Sequence, residues 1–188
     1  MIKIGITGSL SSGKSSASIL ISKKRGPLFS ADKVVHDLYQ KDSFKRKIAQ
    51  KLKIRLNKNF KAIIKKLIRE NKKNLRIIEK IIHPYVRQEM KRFVKKNKDK
   101  KILFFEIPLL IESKLMKFFD VTIFIKTNKK IRLKRYLSNK GNIKLFNFLD
   151  KEQMSDAKKA KLCDHIIVNN KSLASLKKKL SDIMSHYG

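Results

Sequence analysis

The chain has 188 residues, 41% of them hydrophobic, and its 48 basic and 15 acidic side chains give a formal net charge of +33 at pH 7. A chain of this length and hydrophobic content can bury the core of one globular domain, which excludes wholesale disorder. No apolar run is long enough to cross a bilayer. The single cysteine, Cys163, excludes an internal disulfide and a cysteine-based zinc site. We expect a cytoplasmic protein with no membrane partner and no signal peptide, because the sequence starts with a candidate core strand.

The basic excess by itself suggests nucleic-acid binding. Lysine supplies 39 of the 48 basic residues and arginine only nine, whereas base and phosphate recognition favours arginine forks. The lysines are also spread over the whole chain rather than gathered in one block. We therefore interpret most of them as solvated surface and predict no specific nucleic-acid partner.

The first element in chain order is a β-branched run, Ile2–Thr7, which predicts a buried strand. Residues 8–15 then read Gly-Ser-Leu-Ser-Ser-Gly-Lys-Ser, a complete GxxxxGK[ST] phosphate-binding loop, and a helix is predicted over residues 15–21. In this motif the lysine, Lys14, reaches the β- and γ-phosphates of ATP, and the hydroxyl of Ser15 binds Mg²⁺. The alternative is a glycine-containing turn with no ligand. The loop residues assigned to ATP binding are Gly8, Ser11, Ser12, Gly13, Lys14, Ser15 and Ser16.

The next part of the chain combines a short strand with a long helical block. Residues 27–30 predict a second strand, and residues 31–98 contain no convincing strand pattern. Because proline disfavours helical geometry at the preceding residue, His83-Pro84 predicts the end of one helix and the start of another. The helices predicted in this block cover residues 32–39, 43–53, 63–68, 75–82 and 84–94.

Strand patterns return in the second half of the chain, at residues 102–107, 121–125 and 165–168. Alternating strands and helices predict an α/β fold of the P-loop kinase type, with a five-stranded parallel sheet and helices on both faces. The helices predicted here cover residues 129–138, 143–150, 152–162 and 172–186. We expect one domain, in which the core comprises residues 1–30, 99–131 and 163–188, a helical insertion residues 31–98, and a lid residues 132–162.

Several segments together carry a family resemblance that spans nearly the whole chain. The chain resembles dephospho-coenzyme A kinases, the P-loop enzymes of the last step of coenzyme A synthesis. The phosphate loop alone would indicate only nucleotide binding, whereas the segments at 83–87 and 106–112 are far more particular. The matching segments are Ile4–Ser9 with Gly13–Ser15, Ser30–Asp32, His36–Tyr39, His83–Arg87, Glu106–Glu112, Gln153-Met154, Asp164 and Asn169.

The resemblance implies a reaction and the roles of several side chains. MgATP phosphorylates the 3′-hydroxyl of dephospho-coenzyme A, with Mg²⁺ as cofactor and a monomer favoured. Lys14, Asp32 and Arg135 are the catalytic candidates, with Asp32 as the base and Arg135 as a lid arginine on the transferred phosphate. The candidates for acceptor binding are Asp32, His83, Arg87 and Glu106, and the candidate for the adenine pocket is Asn169.

Each role has a structural alternative that the residues alone leave open. Asp32 also suits a helix cap or a first-turn acid, and its position by itself does not decide between that and the base. Arg135 and Arg87 could be solvated charges, and Glu106 could be a buried acid held by backbone donors. His83 could mark only a helix boundary, and Asn169 only a turn.

The sequence departs from the family pattern at a few positions. Ser11 stands where a glycine is common, which requires a backbone angle that serine tolerates less well. Asn139 stands where the lid usually carries a second arginine. Three nearby lysines are candidates to compensate for Asn139, namely Lys134, Lys140 and Lys144. The remaining departures are Ser16 in place of threonine, and Ser30 and Glu106 in place of aspartates.

Two other functions share part of this pattern. Another P-loop nucleoside or nucleotide kinase would have the loop and lid but lack the segments at 83–84 and 108–112. A basic, ATP-dependent nucleic-acid-binding protein would need a concentrated arginine-rich face.

Overall fold

The computed structural model describes residues 1–57 and 59–187. These residues form two compact units. One contains Met1–Ala31 together with the chain from Val94 onward, and the other contains Asp32–Phe93. No helix among the described residues is long and apolar enough to cross a membrane.

The first unit is built on five parallel strands, as the sequence predicts. Their order across the sheet is β2-β3-β1-β4-β5. All neighbouring pairs are parallel, so the carboxyl ends of the strands lie along one edge. At that edge Glu106 is level with both Ile6 and Ser30, and Gly8 is level with Ile125. The strands are β1 Ile2–Gly8, β2 Leu28–Ser30, β3 Ile102–Glu106, β4 Val121–Lys126 and β5 His165–Val168.

Nine α-helices accompany the sheet in the described part of the chain. They are α1 Lys14–Ser22, α2 Ala31–Leu38, α3 Asp42–Leu52, α4 Phe60–Glu70, α5 Lys72–Lys96, α6 Lys129–Ser138, α7 Ile143–Glu152, α8 Asp156–Leu162 and α9 Leu173–Met184, with a short 3₁₀ helix at Met116–Phe118.

The core of the first unit lies on both faces of the sheet because β1 and β3 are apolar on both sides. On one face, Ile4 and Ile6 pack in a cluster with Ile21 of α1 and Leu180 of α9. On the other, the ring of Phe105 contacts residues of the 116–119 segment, namely Phe118 and Phe119. This packing holds β1 and α1 in place, and the loop between them is the candidate phosphate site.

The helical block between β2 and β3 contains no strand among its described residues, as predicted, but the predicted break at Pro84 is wrong. Helix α5 is continuous from Lys72 to Lys96 with Pro84 inside it. A proline in a helix interior removes one hydrogen bond and costs about 3 kcal/mol. Buried residues on both sides, among them Ile81 and Val86, anchor the two halves and offset that cost.

The helix predicted over residues 152–162 is also wrong at its start. Helix α7 runs to Glu152, a turn follows, and α8 begins only at Asp156. Ser155 caps α8, because its hydroxyl accepts a hydrogen bond from the N–H of Lys158 at 3.4 Å. A serine cap requires extended backbone before the helix, which separates α7 from α8.

Candidate active site

The phosphate loop connects the central strand β1 to α1, the setting that the motif predicts. Two of its residues adopt left-handed backbone, Ser11 with φ 58° and Gly13 with φ 89°. A Cβ atom at Gly13 would lie 2.5 Å from Nδ2 of Asn169. Position 13 therefore requires glycine for both its backbone angle and its space, whereas Ser11 adopts an angle that side chains disfavour.

The carbonyl oxygen of Ser12 is the best anchored group of this loop. It accepts hydrogen bonds from Oγ1 of Thr127 at 2.9 Å, from Nδ2 of Asn169 at 2.9 Å and from Nη1 of Arg135 at 3.2 Å. The Arg135 guanidinium also donates to the Asn169 carbonyl at 3.4 Å. Arg135 and Asn169, predicted separately from sequence, thus meet at the loop, and Thr127 is a partner that sequence reasoning missed.

The N-terminus of α1 follows directly from this loop. Lys14 is the first residue of the helix and is 9% exposed. The N–H of Ala17 donates to the Gly13 carbonyl at 3.0 Å, the first helical hydrogen bond. The N–H groups before it point out of the helix end, where backbone donors and the helix dipole favour an anion. The loop and the lysine together are therefore the candidate site for the phosphates.

Ser15 and Glu106 place two oxygen ligands beside the phosphate loop. The Ser15 hydroxyl donates to Oε1 of Glu106 at 2.5 Å, and Glu106 is 4% exposed at the end of β3. Hydroxyl and carboxylate oxygens suit Mg²⁺, which commonly takes its other ligands from water and substrate phosphates. Among the described residues, no group of three acidic, histidine or cysteine side chains could hold a metal alone. The pair fits a magnesium ion that arrives with ATP.

Three of the four acceptor candidates, Asp32, His83 and Arg87, lie in the second unit, and Glu106 lies in the first. Asp32 is exposed in the first turn of α2, where the helix dipole also stabilises an acidic side chain. His83 and Arg87 are one turn apart on α5, on the same side of the helix. Burial lowers the pKa of His83, and the charge of Arg87 lowers it further. The acceptor roles of all three residues stay predictions.

Two acids named in the resemblance support the framework of the first unit. Asp164 accepts hydrogen bonds from the N–H and the hydroxyl of Thr122, at 2.8 and 2.7 Å, which ties the start of β5 to β4. Glu112 accepts from the N–H of Met154 at 3.1 Å and lies 2.9 Å from Nζ of the fully buried Lys159. Glu112 thereby anchors the turn between α7 and α8.

Position 139 is occupied by asparagine, where the lid of the family usually has a second arginine. Asn139 is the C-cap residue that follows α6, and its amide donates to the carbonyl of Arg135 in that helix at 3.1 Å. Compensation for the missing arginine by Lys134, Lys140 or Lys144 stays a prediction.

Sequence reasoning missed a second arginine that contacts the loop. Arg132, three residues before Arg135, is 4% exposed and pairs with Asp150 of α7. One signal could have found this pair. Only 15 acids accompany 48 basic residues, so an acid within the basic lid segment indicates a partnered site rather than ordinary surface.

The sheet order and the loop after its central strand define a P-loop kinase fold, and solved structures agree. A protein from Thermus thermophilus superposes with a TM-score of 0.81 at 21% identity, covering 100% of this chain and 98% of that one. A dephospho-CoA kinase from Campylobacter jejuni gives a TM-score of 0.60 at 23% identity, covering 99% of this chain and 97% of that one. At these identities the likeness concerns the fold.

Sequence comparison defines the family within that class. The family model for dephospho-CoA kinase matches residues 2–175. A dephospho-CoA kinase of Fusobacterium nucleatum is 34% identical over 183 residues, covering 94% of each chain. The chain belongs to the dephospho-CoA kinase family.

Proposed function

We propose that this chain transfers the γ-phosphoryl group of ATP to dephospho-CoA, giving coenzyme A and ADP. The observation that carries the proposal is family membership over residues 2–175, combined with an intact phosphate loop. Phosphoryl transfer asks little covalent chemistry of a protein, which must align donor and acceptor and neutralise charge. The residues at the loop suit both tasks.

The donor side of the proposal uses the loop, Lys14 and the Ser15–Glu106 pair. The loop N–H groups and the Lys14 ammonium bind the β- and γ-phosphates. Mg²⁺, when bound, neutralises charge on those phosphates, and the Ser15 hydroxyl is its protein ligand. Glu106 accepts the Ser15 proton in a hydrogen bond, which aims the oxygen lone pairs toward a cation.

The acceptor side of the proposal uses Asp32 and two residues of α5. Asp32 accepts a hydrogen bond from the 3′-hydroxyl of the ribose, orients it and takes its proton. His83 and Arg87 bind the remainder of dephospho-CoA. Support for these assignments is the match of their segments to the family motifs, together with the exposure of Asp32.

Arg135 is proposed to stabilise the transferred group. A guanidinium carries five N–H donors, and two of its contacts are to the carbonyls of Ser12 and Asn169. The remaining donors face a phosphate in the proposed complex, where a planar fork suits phosphate oxygens. Asn169, held against the loop, borders the adenine. A monomeric, cytoplasmic enzyme is part of the same proposal.

The proposal is tested by ADP release coupled to an optical assay, with mass spectrometry of the product. Wild-type protein with ATP and dephospho-CoA should yield a product heavier than dephospho-CoA by one phosphoryl group. Lys14→Ala and Lys14→Met should each lower kcat/KM by about 10²–10³-fold, the usual scale for losing one preorganised electrostatic group. Lys177→Ala, on the exposed surface of α9, is the matched control. Full activity in both Lys14 variants would contradict the assignment of the donor site.

A further inference from the structure

The side chain of Arg132 links the phosphate loop to the lid helices. Its Nη1 donates to the carbonyl of Leu10 at 3.3 Å and to Oδ1 of Asp150 at 2.5 Å, and its Nε donates to the carbonyl of Thr127 at 3.1 Å. The guanidinium also lies 5.8 Å from the ring centre of the buried Phe146. Every contact is within the first structural unit.

Burial of this arginine requires compensation. A guanidinium stays charged at any physiological pH, and a buried charge is strongly unfavourable unless it is paired and hydrogen-bonded. Asp150 supplies the pair, and Lys129 contacts the other oxygen of the same carboxylate at 3.0 Å. The Leu10 carbonyl accepts a further hydrogen bond from Nη1, and the Thr127 carbonyl accepts one from Nε. Arg132 is buried and donates to the backbone at the tip of the loop, so we expect it to act through the loop.

The tip of the loop is held from a second direction by the turn between α7 and α8. The N–H of Leu10 donates to Oε1 of Gln153 at 3.1 Å, and the Ser9 hydroxyl donates to the carboxylate of Asp156. The backbone N–H and the carbonyl of Leu10 therefore both have side-chain partners in the lid segment, Gln153 and Arg132. Glu112 anchors the segment between α7 and α8 through its hydrogen bond from the N–H of Met154.

These contacts surround the one strained residue of the loop. Ser11 has φ 58°, a conformation that costs a side-chain-bearing residue free energy and persists only when its surroundings impose it. On one side of Ser11, Arg132 and Gln153 hold Leu10. On the other, Thr127, Asn169 and Arg135 hold the Ser12 carbonyl. Arg132 also holds the carbonyl of Thr127, so it contributes on both sides.

We propose that Arg132, oriented by Asp150, is a positioning residue that keeps the Ser9–Ser12 part of the loop in its phosphate-binding conformation. The inference rests on the proposed kinase function. Its consequence is that loss of Arg132 weakens ATP binding more than it slows phosphoryl transfer, because Arg132 is buried and contacts the backbone of the loop. A second consequence is particular to this chain. Glycine at position 11 should need Arg132 less, since glycine adopts the left-handed angle without strain.

The test compares KM for ATP, kcat and the dissociation constant for ATP in five proteins: wild type, Arg132→Gln, Asp150→Asn, Ser11→Gly and the double variant Arg132→Gln/Ser11→Gly. Arg132→Gln should raise KM and the dissociation constant about tenfold or more, as expected for losing hydrogen bonds to a charged group, with a smaller change in kcat. Asp150→Asn should move the same constants in the same direction. The double variant should recover most of the lost affinity. Arg92→Gln, an exposed arginine paired with Glu89, is the matched control and should equal wild type.

Two results would overturn the inference while leaving the kinase function intact. One is unchanged ATP affinity in both Arg132→Gln and Asp150→Asn. The other is a fall in ATP affinity that Ser11→Gly does not relieve, since that would indicate general loss of packing. Asp150→Asn keeps the guanidinium and provides the answer even where Arg132→Gln does not fold. A wild-type protein that binds no ATP would instead contradict the proposed function, and this inference with it.

Discussion

At the scale of single residues, the loop depends on atoms that a sequence motif does not mention. Gly13 is required by the motif, and the structure gives the reason as both a left-handed φ of 89° and the proximity of the Asn169 amide. Asn169 cannot move away freely, because the same amide donates to Ser12. A methyl group at position 13 would therefore disturb the contact that anchors the loop.

Gly13→Ala tests this reading of the loop. We expect KM for ATP to rise at least tenfold and the free energy of unfolding to fall by about 1–3 kcal/mol, from backbone strain together with the 2.5 Å approach. Steady-state kinetics and a thermal melt measure the two effects. Ser181→Ala, an equally small change at an exposed position of helix α9, serves as the control. Wild-type affinity in Gly13→Ala would show that the loop adopts a different conformation.

Asp32→Asn separates catalysis from helix support. A base that orients the hydroxyl and takes its proton acts mainly in the transition state, so kcat should fall about 10²–10⁴-fold with little change in KM. Asparagine keeps the shape and the capping ability of aspartate, so the melting temperature should stay near that of wild type. Near-normal kcat would remove Asp32 from the mechanism and leave Glu106 as the next carboxylate to test.

Asp150 should make stability depend on pH. Burial alone raises the pKa of Asp150, but the hydrogen bonds from Arg132 and Lys129 outweigh it and leave the pKa below its ordinary value. A carboxyl with a lowered pKa in the folded state stabilises the protein above its ordinary pKa of about 4 and loses that contribution as pH falls through the lowered value.

Urea unfolding of wild type and Asp150→Asn across pH measures this contribution. The difference in free energy of unfolding should be largest above about pH 5 and should shrink below about pH 4. Asp182→Asn, at an exposed position on α9, should show a small difference at every pH. A difference for Asp150→Asn that does not change with pH would contradict the ion pair.

At the scale of secondary structure, helix α5 is the clearest case of packing that overrides local preference. Its 25 residues include Pro84, and buried side chains on both sides keep the helix continuous. Pro84→Ala restores the missing N–H. It should therefore raise the free energy of unfolding by about 2 kcal/mol, somewhat less than the full helix penalty because proline also restricts the unfolded chain. A loss of stability on urea unfolding would instead indicate that the chain turns at His83-Pro84.

The elements show what a sequence can and cannot reveal here. The strands were predictable because their apolar runs are local, and the loop because its spacing is fixed by phosphate geometry. The side chains that hold the loop could not be predicted in the same way. Thr127 and Asn169 are more than 100 residues from Ser12, and Arg132 looks like one basic residue among many until Asp150 is placed beside it. The start of α8 depended on one capping serine within a continuous helical pattern.

At the scale of the whole molecule, acids are scarce, and several of them support the phosphate loop. Four of the 15 acids, Glu106, Glu112, Asp150 and Asp156, contact the loop or the segments that hold it. The lysines, in contrast, are spread along the entire sequence. This distribution favours a solvated basic surface over a dedicated nucleic-acid interface.

Nucleic-acid binding should accordingly be weak, independent of sequence and lost at moderate salt, because it would rest on counterion release alone. Fluorescence anisotropy with labelled DNA and RNA of several sequences, between low and physiological ionic strength, measures it. Sub-micromolar, sequence-selective binding at physiological salt would support the nucleic-acid-binding alternative.

Acceptor choice tests the central claim most directly. The measurement is kcat/KM with ATP as donor and dephospho-CoA, adenosine and AMP offered separately as acceptors, with Lys14→Ala as the blank. A dephospho-CoA kinase should prefer dephospho-CoA by at least about 10²-fold, because contacts to the distant part of the substrate lower the transition-state barrier. Comparable kcat/KM values for dephospho-CoA and AMP would contradict the account and assign the chain to another class of nucleotide kinase.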